Sequence, residues 1–332
     1  MSVFMKRRRL IKLMAASFLM GSLPSGARAL SQQNRPELYK WQGFALGAEV
    51  SLQLYHTDGN AARRIIQNAR KIINDMEELF SLYRQDSVLS RLNRLGAIDN
   101  PPADFVDLLQ MSHRVSRMTS GAFDVTVQPL WQFYKDFFSS QGRGADPLPN
   151  ALRALQDKIG YEKLQISPDR IAFDQTGMAV TLNGIAQGYV TDRVTDYLKS
   201  EGMTSVLVDI GEYRALGPQA NQSPWRIGLM DPIKLGKFSD ILEITDGAVA
   251  TSSGQGDVFD GRGTYHHLFD PHSGKSADRY LSVTVTAQEA ALADALSTAF
   301  YAMSVAAIKD CLKVPPLVNA RLTDKAGAVI MV

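Results

Sequence analysis

The chain has 332 residues, 45% of them hydrophobic, which is enough to bury a large core as one big domain or two ordinary ones. Its one cysteine, Cys311, excludes an intramolecular disulfide and any metal site built from several cysteines. The chain carries 36 basic and 34 acidic residues, but six of the bases and none of the acids lie in the first 29 positions. Without that segment 30 bases face 34 acids, a net charge of −4, which argues against nucleic acid as a partner.

Residues 1–29 are predicted to be a cleaved export signal. A basic stretch with Lys6 and Lys12 at its ends precedes an apolar run of 11 residues from Leu13 to Leu23. That run is shorter than the ~20 residues a membrane-spanning helix needs, and a small-x-small cleavage site ends at Ala29. The order of residues 7–12 matches the twin-arginine pattern, with an ordinary secretory signal as the alternative. We therefore expect a periplasmic protein that starts at Leu30.

Hydrophobic periodicity predicts strands and helices in irregular succession over the remaining residues. The predicted strands cover 49–55, 164–166, 170–173, 178–182, 205–210, 225–229, 241–245, 248–254, 281–286, 320–322 and 328–331. The predicted helices cover 61–82, 88–93, 101–118, 131–138, 151–159, 189–198 and 290–303. No internal repeat is visible. The pattern predicts one α+β unit over 30–332 rather than a doubly wound sheet.

Two early candidates, Tyr83 and Asp124, each allow a structural and a functional interpretation. Tyr83 follows the first long helix, where an aromatic side chain either packs in the core or stacks on a ligand ring. Asp124 lies in a turn between Gly121 and Pro129, where it either caps a local element or belongs to an exposed ligand-binding loop. Sequence position alone leaves both alternatives open.

A glycine-bearing turn between a predicted strand and a predicted helix is a candidate anion site. Its residues are Asn183-Gly184-Ile185-Ala186-Gln187-Gly188. Glycine allows close approach to the backbone, and a helix N-terminus directs N–H groups at an anion. A tight turn in the core is the alternative. Similarly, the hydroxyl groups near Thr251 either reach a phosphate or a pyrimidine edge, or they fit a crowded β-layer.

Three of the five histidines fall within seven residues, at 266, 267 and 272. A zinc site is the first interpretation, but no cysteine accompanies them and their spacing does not place them on one face of a helix or strand. A histidine that accepts a proton near neutral pH is the favoured interpretation.

The predicted helix 290–303 places a carboxylate and two hydroxyls together among alanine and leucine. Asp294 and Thr298 are four residues apart and share a face, and Ser297 lies close by. Asp294 is either a solvated cap, or these oxygens bind a hard cation such as Mg²⁺. The apolar surroundings favour the cation.

Six motifs in this order resemble the ApbE family, the FAD:protein FMN transferases, over nearly all of residues 40–332. They are Phe80-Ser81-x-Tyr83-Arg84-x-x-Ser87 to Asn93, Gly121-Ala122-Phe123-Asp124-Val125-Thr126-x-x-Pro129-Leu130, Asn183-Gly184-Ile185-Ala186-x-Gly188-Tyr189, Ala248-Val249-Ala250-Thr251-Ser252, His267-x-x-Asp270-Pro271-x-x-Gly274 and Ala293-Asp294-Ala295-Leu296-Ser297-Thr298. Each motif is weak alone, and the six together are specific.

The resemblance implies an α+β, two-lobed unit with mixed sheets, flanking helices and FAD in the cleft between the lobes. It implies that Mg²⁺ is held by Asp294, Ser297, Thr298 and the carbonyl of Ala186. The implied cofactor-binding residues are Leu46, Tyr83, Ala122, Phe123, Asp124, Asn183, Tyr189, Thr251 and Leu268. The implied catalytic residues are His267, near the acceptor hydroxyl, and Asp294.

The implied reaction moves FMN from FAD to a threonine hydroxyl of a partner protein and releases AMP. Two rival hypotheses remain: a hydrolase that splits FAD into FMN and AMP, and a flavin-binding maturation factor without activity. Asn183 and Gln187 stand where the family usually has glycine and lysine, and Gly211-Glu212 where it often has two glycines. These departures resemble a NosX-like subgroup, which implies a membrane-bound electron-transfer acceptor and a role in nitrous oxide reduction.

Overall fold

The computed structural model describes residues 35–147, 149–234, 236–315 and 317–332. The predicted export signal lies outside these ranges. The fifteen strands of the described residues are β1 (Glu37–Ala45), β2 (Ala48–His56), β3 (Ala97–Asp99), β4 (Leu164–Ile166), β5 (Arg170–Phe173), β6 (Val206–Asp209), β7 (Tyr213–Leu216), β8 (Trp225–Met230), β9 (Phe238–Ile244), β10 (Gly247–Ser253), β11 (Phe269–Asp270), β12 (Lys275–Ser276), β13 (Tyr280–Ala287), β14 (Asn319–Asp324) and β15 (Val329–Met331).

Eight α-helices accompany these strands in the described ranges: α1 (Gly59–Phe80), α2 (Val88–Leu95), α3 (Ala103–Met118), α4 (Gln128–Gln141), α5 (Pro149–Gln156), α6 (Ala186–Ser200), α7 (Ala290–Ala302) and α8 (Val305–Cys311). None of the helices in this part of the chain has both the length and the apolar character needed to cross a bilayer.

The main sheet has eight strands in the order β1-β2-β6-β7-β10-β13-β14-β15. Every strand pairing in the described residues is antiparallel. Helices α1, α6 and α7 pack on this sheet and on one another, and their apolar faces form the large core. The predicted α+β class is confirmed.

A second, aromatic core lies outside the large one. Tyr134 of α4 is fully buried there, with Phe269, Phe259 and Tyr265 at ring-centroid distances of 5.4, 5.8 and 5.5 Å. Its hydroxyl donates a hydrogen bond to the carbonyl of Gly274 at 3.1 Å. We call α4, α5 and the residues 259–274 that pack against them the aromatic lobe.

The predicted strand 178–182 is wrong. This segment is largely buried but belongs to no sheet, because the Asn93 side chain and the Val125 carbonyl, which accepts from the Thr181 N–H at 2.8 Å, satisfy its backbone in place of a neighbouring strand. The amide of Asn93 donates to the Val180 carbonyl at 2.8 Å and accepts from the Val180 N–H at 2.7 Å. Periodicity also missed β1, β3, β7, β11, β12 and α8. All of these except the nine-residue β1 are short.

Candidate functional site

A cavity of about 890 Å³ is lined by the main sheet, β8 and the turn that follows it, α7 and the aromatic lobe. That volume falls in the range of small-molecule and cofactor sites. One wall is apolar and includes Phe123, Val125, Trp131 and Leu268. Another wall carries hydroxyl and carboxylate groups from the end of β10 and the middle of α7. The cavity therefore suits a ligand with both planar apolar and charged parts.

The charged groups of the cavity are strongly biased towards acids. Among the described residues, no lysine or arginine lines the cavity, and seven acidic residues do: Glu49, Asp124, Asp209, Glu212, Asp231, Asp257 and Asp294. An anionic ligand would meet repulsion here unless a cation accompanied it. Gln187, which stands where a lysine was expected, also lines the cavity and brings no charge.

Helices α6 and α7 hold each other's first turns through two aspartates. Asp294 of α7 accepts a hydrogen bond from the Gly188 N–H of α6 at 3.1 Å. Asp192 of α6 accepts from the N–H groups of Ala290 and Ala291 in α7, at 2.8 and 2.9 Å. Each carboxylate thus satisfies N–H groups that have no partner within their own helix. This reciprocal capping fixes the position of Asp294 on the cavity wall.

The two helices are close enough for this because residue 188 is glycine. A Cβ atom at Gly188 would lie 2.3 Å from the carbonyl oxygen of Ala290. Gly211 has a similar role beside the cavity, since a Cβ there would lie 2.6 Å from Cδ of Gln187, and its φ of +87° suits glycine. The glycine turn of the sequence therefore makes a close helix contact as well as forming part of a cavity wall.

The polar corner of the cavity consists of Ser252, Asp294, Ser297 and Thr298. Oγ of Ser252 lies 2.7 Å from Oγ of Ser297 and 3.4 Å from Oγ1 of Thr298. Asp294 is only 4% exposed, and burial raises its pKa above the ordinary aspartate value. The solvated-cap alternative for Asp294 is therefore wrong. Asp294 does act as a cap, but it does so while buried and for another helix.

Two further buried carboxylates lie near this corner. Glu212 accepts from the Thr251 N–H at 3.3 Å, and burial together with repulsion from Asp294 raises its pKa well above the ordinary value. Burial raises the pKa of Asp209 to about 7. Such shifts mean that the folded chain disfavours negative charge at these positions unless a cation compensates it.

The donors of the polar corner fit a hard divalent cation such as Mg²⁺, which prefers carboxylate, hydroxyl and carbonyl oxygens. A buried carboxylate whose charged form is disfavoured gains most from such an ion. Asp294 and Thr298 line the cavity, whereas Ser297 is fully buried behind Ser252 and donates to the Asp294 carbonyl at 2.9 Å. Asp294 and Thr298 would hold the ion, with Ser252 beside them.

His267 lines the cavity next to Asp257. Its Nδ1 lies 3.2 Å from the N–H nitrogen of Asp257 and 3.3 Å from its carbonyl oxygen. With the proton on Nδ1, the ring donates to this carbonyl and Nε2 can accept a proton. In the other tautomer Nδ1 accepts from the N–H and Nε2 already carries the proton. Only the first tautomer serves as a base through Nε2.

The structure separates the three clustered histidines. His266 is 4% exposed and packs edge-on against Tyr301, and burial lowers its pKa to about 4. His272 lies beside Gly121. In the part of the chain that is described, no three histidine, cysteine or acidic side chains are arranged to hold a metal ion by themselves. Of the three, His267 alone lines the cavity.

Most of the predicted site residues line this cavity. These are Ala122, Phe123, Asp124, Asn183, Thr251, His267, Leu268, Asp294 and Thr298. Leu46, Tyr83 and Ala186 instead line a small adjoining pocket of about 20 Å³, which Asn183 and Gln187 share with the cavity. Tyr83 is 61% exposed, so its interpretation as a core residue is wrong. Its stacking on a ring stays a prediction.

The structure does not bring Tyr189 to the cavity. Its ring packs edge-on against Phe80 with centroids 5.7 Å apart, and its hydroxyl donates to Asp104 at 3.0 Å. Asp124 accepts from the N–H and hydroxyl of Thr126 and from the Tyr161 N–H, so the local-cap interpretation of Asp124 is confirmed.

The backbone at Ala122 and Phe123 is already partly used inside the protein. Their N–H groups donate to the carbonyl and hydroxyl oxygens of Thr119, each at 3.1 Å. Ligand contacts of these two residues therefore fall on their carbonyl oxygens or side chains.

Sequence reasoning missed Trp131, Asp209, Glu212 and Ser252 as cavity residues. The run 248–254 contained the signal for Ser252, because Thr251 and Ser252 end a strand of small residues. Trp131 was visible only as part of an aromatic-rich helix. Asp209 and Glu212 flank the glycine after a buried strand, and nothing in their spacing relates them to Asp294.

Comparison with known proteins places the chain in a family. The ApbE family profile matches residues 46–322. A Vibrio cholerae protein named FAD:protein FMN transferase is 29% identical over 293 residues, covering 85% of this chain and 87% of the relative. The protein of the same name from Escherichia coli K12 is 24% identical over 317 residues, covering 92% and 89%.

Solved structures agree over nearly the whole chain. The ApbE protein of Thermotoga maritima superposes with a TM-score of 0.79 at 26% identity, covering 89% of this chain and 96% of its own. The flavin transferase ApbE of Vibrio cholerae has a TM-score of 0.76 at 25% identity, covering 90% and 97%. The family match covers most of the chain and all but three of the residues that line the cavity, and this chain therefore belongs to the ApbE family.

Proposed function

We propose that this chain is an FAD:protein FMN transferase that moves FMN from FAD to a threonine hydroxyl of an acceptor protein in a Mg²⁺-dependent reaction. The observation that carries the proposal is the polar corner of Asp294, Thr298 and Ser252 at the end of a cavity that also has an apolar wall. The relatives named above supply the identity of the substrate, FAD.

The acidic lining supports a requirement for the metal. FAD has a negatively charged diphosphate, and the cavity offers it seven acidic residues and, within the described residues, no lysine or arginine. When bound, Mg²⁺ neutralises charge on the diphosphate oxygens. Asp294 and Thr298 would hold that ion in place, and the capping contact with Gly188 keeps the Asp294 carboxylate from moving.

The proposed reaction is a phosphoryl transfer. The acceptor hydroxyl oxygen bonds to the phosphorus on the FMN side of FAD, and the bond from that phosphorus to the bridging oxygen breaks. AMP leaves with the bridging oxygen, and the hydroxyl proton goes to Nε2 of His267 in the tautomer whose Nδ1–H donates to Asp257. Such a reaction depends on positioning and charge neutralisation more than on a strong nucleophile.

We also propose that the protein is exported to the periplasm, which is supported by the twin-arginine-type signal predicted in residues 1–29. Its acceptor is then a periplasmic or membrane-bound electron-transfer protein. The departures at Asn183 and Gln187 support a NosX-like role in nitrous oxide reduction.

The test combines the protein with FAD, Mg²⁺ and candidate acceptor domains encoded by neighbouring genes, and measures acceptor mass. A gain of one FMN on a threonine, with an equal amount of AMP and no gain in EDTA, is expected. AMP and free FMN without acceptor would instead show a hydrolase. Tight FAD binding with neither product would show a maturation factor.

His267→Ala is expected to slow transfer by roughly 100-fold or more, the usual contribution of a general base. His272→Ala is the matched control, because His272 lies in the same segment but does not line the cavity. Equal rates for the two variants would remove His267 from the mechanism.

A further inference from the structure

We infer that Trp131 is a flavin-binding residue whose indole stacks on the isoalloxazine ring of FAD. This inference rests on the proposed function, since it takes FAD as the ligand. It concerns a residue outside the six sequence motifs, and it follows from where the three tryptophans of the chain lie.

Two of the three tryptophans have other roles. Trp225 is buried, and its Nε1 donates to the Gly217 carbonyl at 2.9 Å. Trp41 lies on β1, where the guanidinium of Arg70 is 5.4 Å from its ring centroid. Only Trp131 lines the cavity, and it is half-buried there.

The indole of Trp131 is held in place by its neighbours. The ammonium of Lys135, one helical turn later, lies 4.8 Å from the ring centroid, within the range of a cation–π interaction. Phe259 packs edge-on with centroids 6.2 Å apart. A planar side chain fixed in this way loses little conformational freedom when a planar ligand ring packs on it.

The surroundings of Trp131 favour the isoalloxazine over the adenine. The neighbouring wall includes Val125, Val127, Leu268 and Phe269, which offer apolar surface. The dimethylbenzene edge of the isoalloxazine needs no hydrogen bonds, whereas the ring nitrogens and amino group of adenine need polar partners. Phe123 and Phe269 are only 3% and 7% exposed, so Trp131 presents the larger aromatic surface on this wall.

The experiment measures the affinities of the full protein for FMN and for AMP, without an acceptor, by titration calorimetry. Trp131→Leu is expected to weaken FMN binding roughly tenfold and to leave AMP binding unchanged, in line with the effects of removing an aromatic that stacks on a base. Trp131→Phe, which keeps an aromatic ring, is expected to weaken FMN binding only a fewfold. A thermal melt establishes that both variants are folded.

Trp41→Leu is the matched control, because it removes a tryptophan with a cation over its ring but outside the cavity. In addition, FMN is expected to quench the tryptophan emission of the wild type. The decrease in emission caused by FMN is expected to be smaller in Trp131→Phe than in Trp41→Phe. Unchanged FMN affinity in Trp131→Leu, or a loss confined to AMP, would overturn the inference. So would a wild type that does not bind FMN. Failure of FMN transfer alone would overturn only the proposed function.

Discussion

The polar corner and the aromatic lobe line the same cavity, but different interactions hold them in place. The polar corner depends on two buried carboxylates that cap each other's helices and on a backbone contact that leaves no room for one methyl group. The aromatic lobe depends on several rings that share contacts with Tyr134. A hydrogen bond is lost completely when one partner is replaced, whereas replacing one ring of a packed cluster removes only part of the packing energy. The corner should therefore tolerate substitution far less than the lobe.

The largest effect is expected at Asp294. Asp294→Ala removes the only carboxylate at the polar corner that both lines the cavity and caps α6, and Mg²⁺-dependent turnover should fall by at least about 100-fold. Asp294→Asn keeps the shape and a hydrogen-bond acceptor for Gly188 but loses the charge. The two variants are compared by the rate of AMP release, measured at several Mg²⁺ concentrations. Wild-type turnover in Asp294→Asn would mean that the carboxylate serves the fold and does not hold the ion.

Gly188→Ala tests the close helix contact directly. The new Cβ would lie 2.3 Å from the Ala290 carbonyl oxygen, so α6 and α7 must separate, and the free energy of unfolding should fall by about 3 kcal/mol. Gly144→Ala is the control, since a Cβ there meets no atom within 4 Å. Urea denaturation measures the free energy of unfolding of both variants. A loss below about 0.5 kcal/mol would show that α6 and α7 can separate at little cost and that the polar corner tolerates substitution.

Asp209→Asn tests whether acids around the corner reduce stability at neutral pH. The pKa of Asp209 is raised to about 7 in the folded chain, against about 3.9 when unfolded, so the folded state binds the extra proton. Its contribution to stability is therefore complete below about pH 4 and is lost as pH rises to about 7. Asp209→Asn should be more stable than the wild type at pH 8, by about 2 kcal/mol, and similar to it at about pH 3.5. Denaturation curves at the two pH values check this, and an equal difference at both would contradict it.

The smallest effect is expected in the aromatic lobe. Tyr134→Phe removes the hydrogen bond from the hydroxyl to the Gly274 carbonyl but keeps every ring contact, and should cost about 1 kcal/mol in the free energy of unfolding. Turnover should be unchanged, because Tyr134 does not line the cavity. Thermal melts and initial rates provide the two measurements. A large loss of activity would show that the lobe is as intolerant as the polar corner.

The sequence by itself determined the α+β class, most of the long helices and strands, and most but not all of the candidate site residues that line the cavity. Amphipathic periodicity is a local property, so α1, α3, α6 and α7 could be predicted from spacing alone. Helical spacing paired Asp294 with Thr298, because residues four apart on a helix share a face wherever that helix packs. The ordered motifs identified His267.

Only the tertiary structure decided how these residues are held and which others join them. The segment 178–182 reads as a strand, yet Asn93 and the Val125 carbonyl supply its hydrogen bonds from elsewhere in the chain. Tyr189 lies beside the glycine turn in sequence but points into the core against Phe80. Reciprocal capping by Asp192 and Asp294, the buried acids Asp209 and Glu212, and the position of Trp131 all depend on contacts between residues far apart in the chain. Such contacts leave no periodic signal, because they arise only when the helices and sheets pack together.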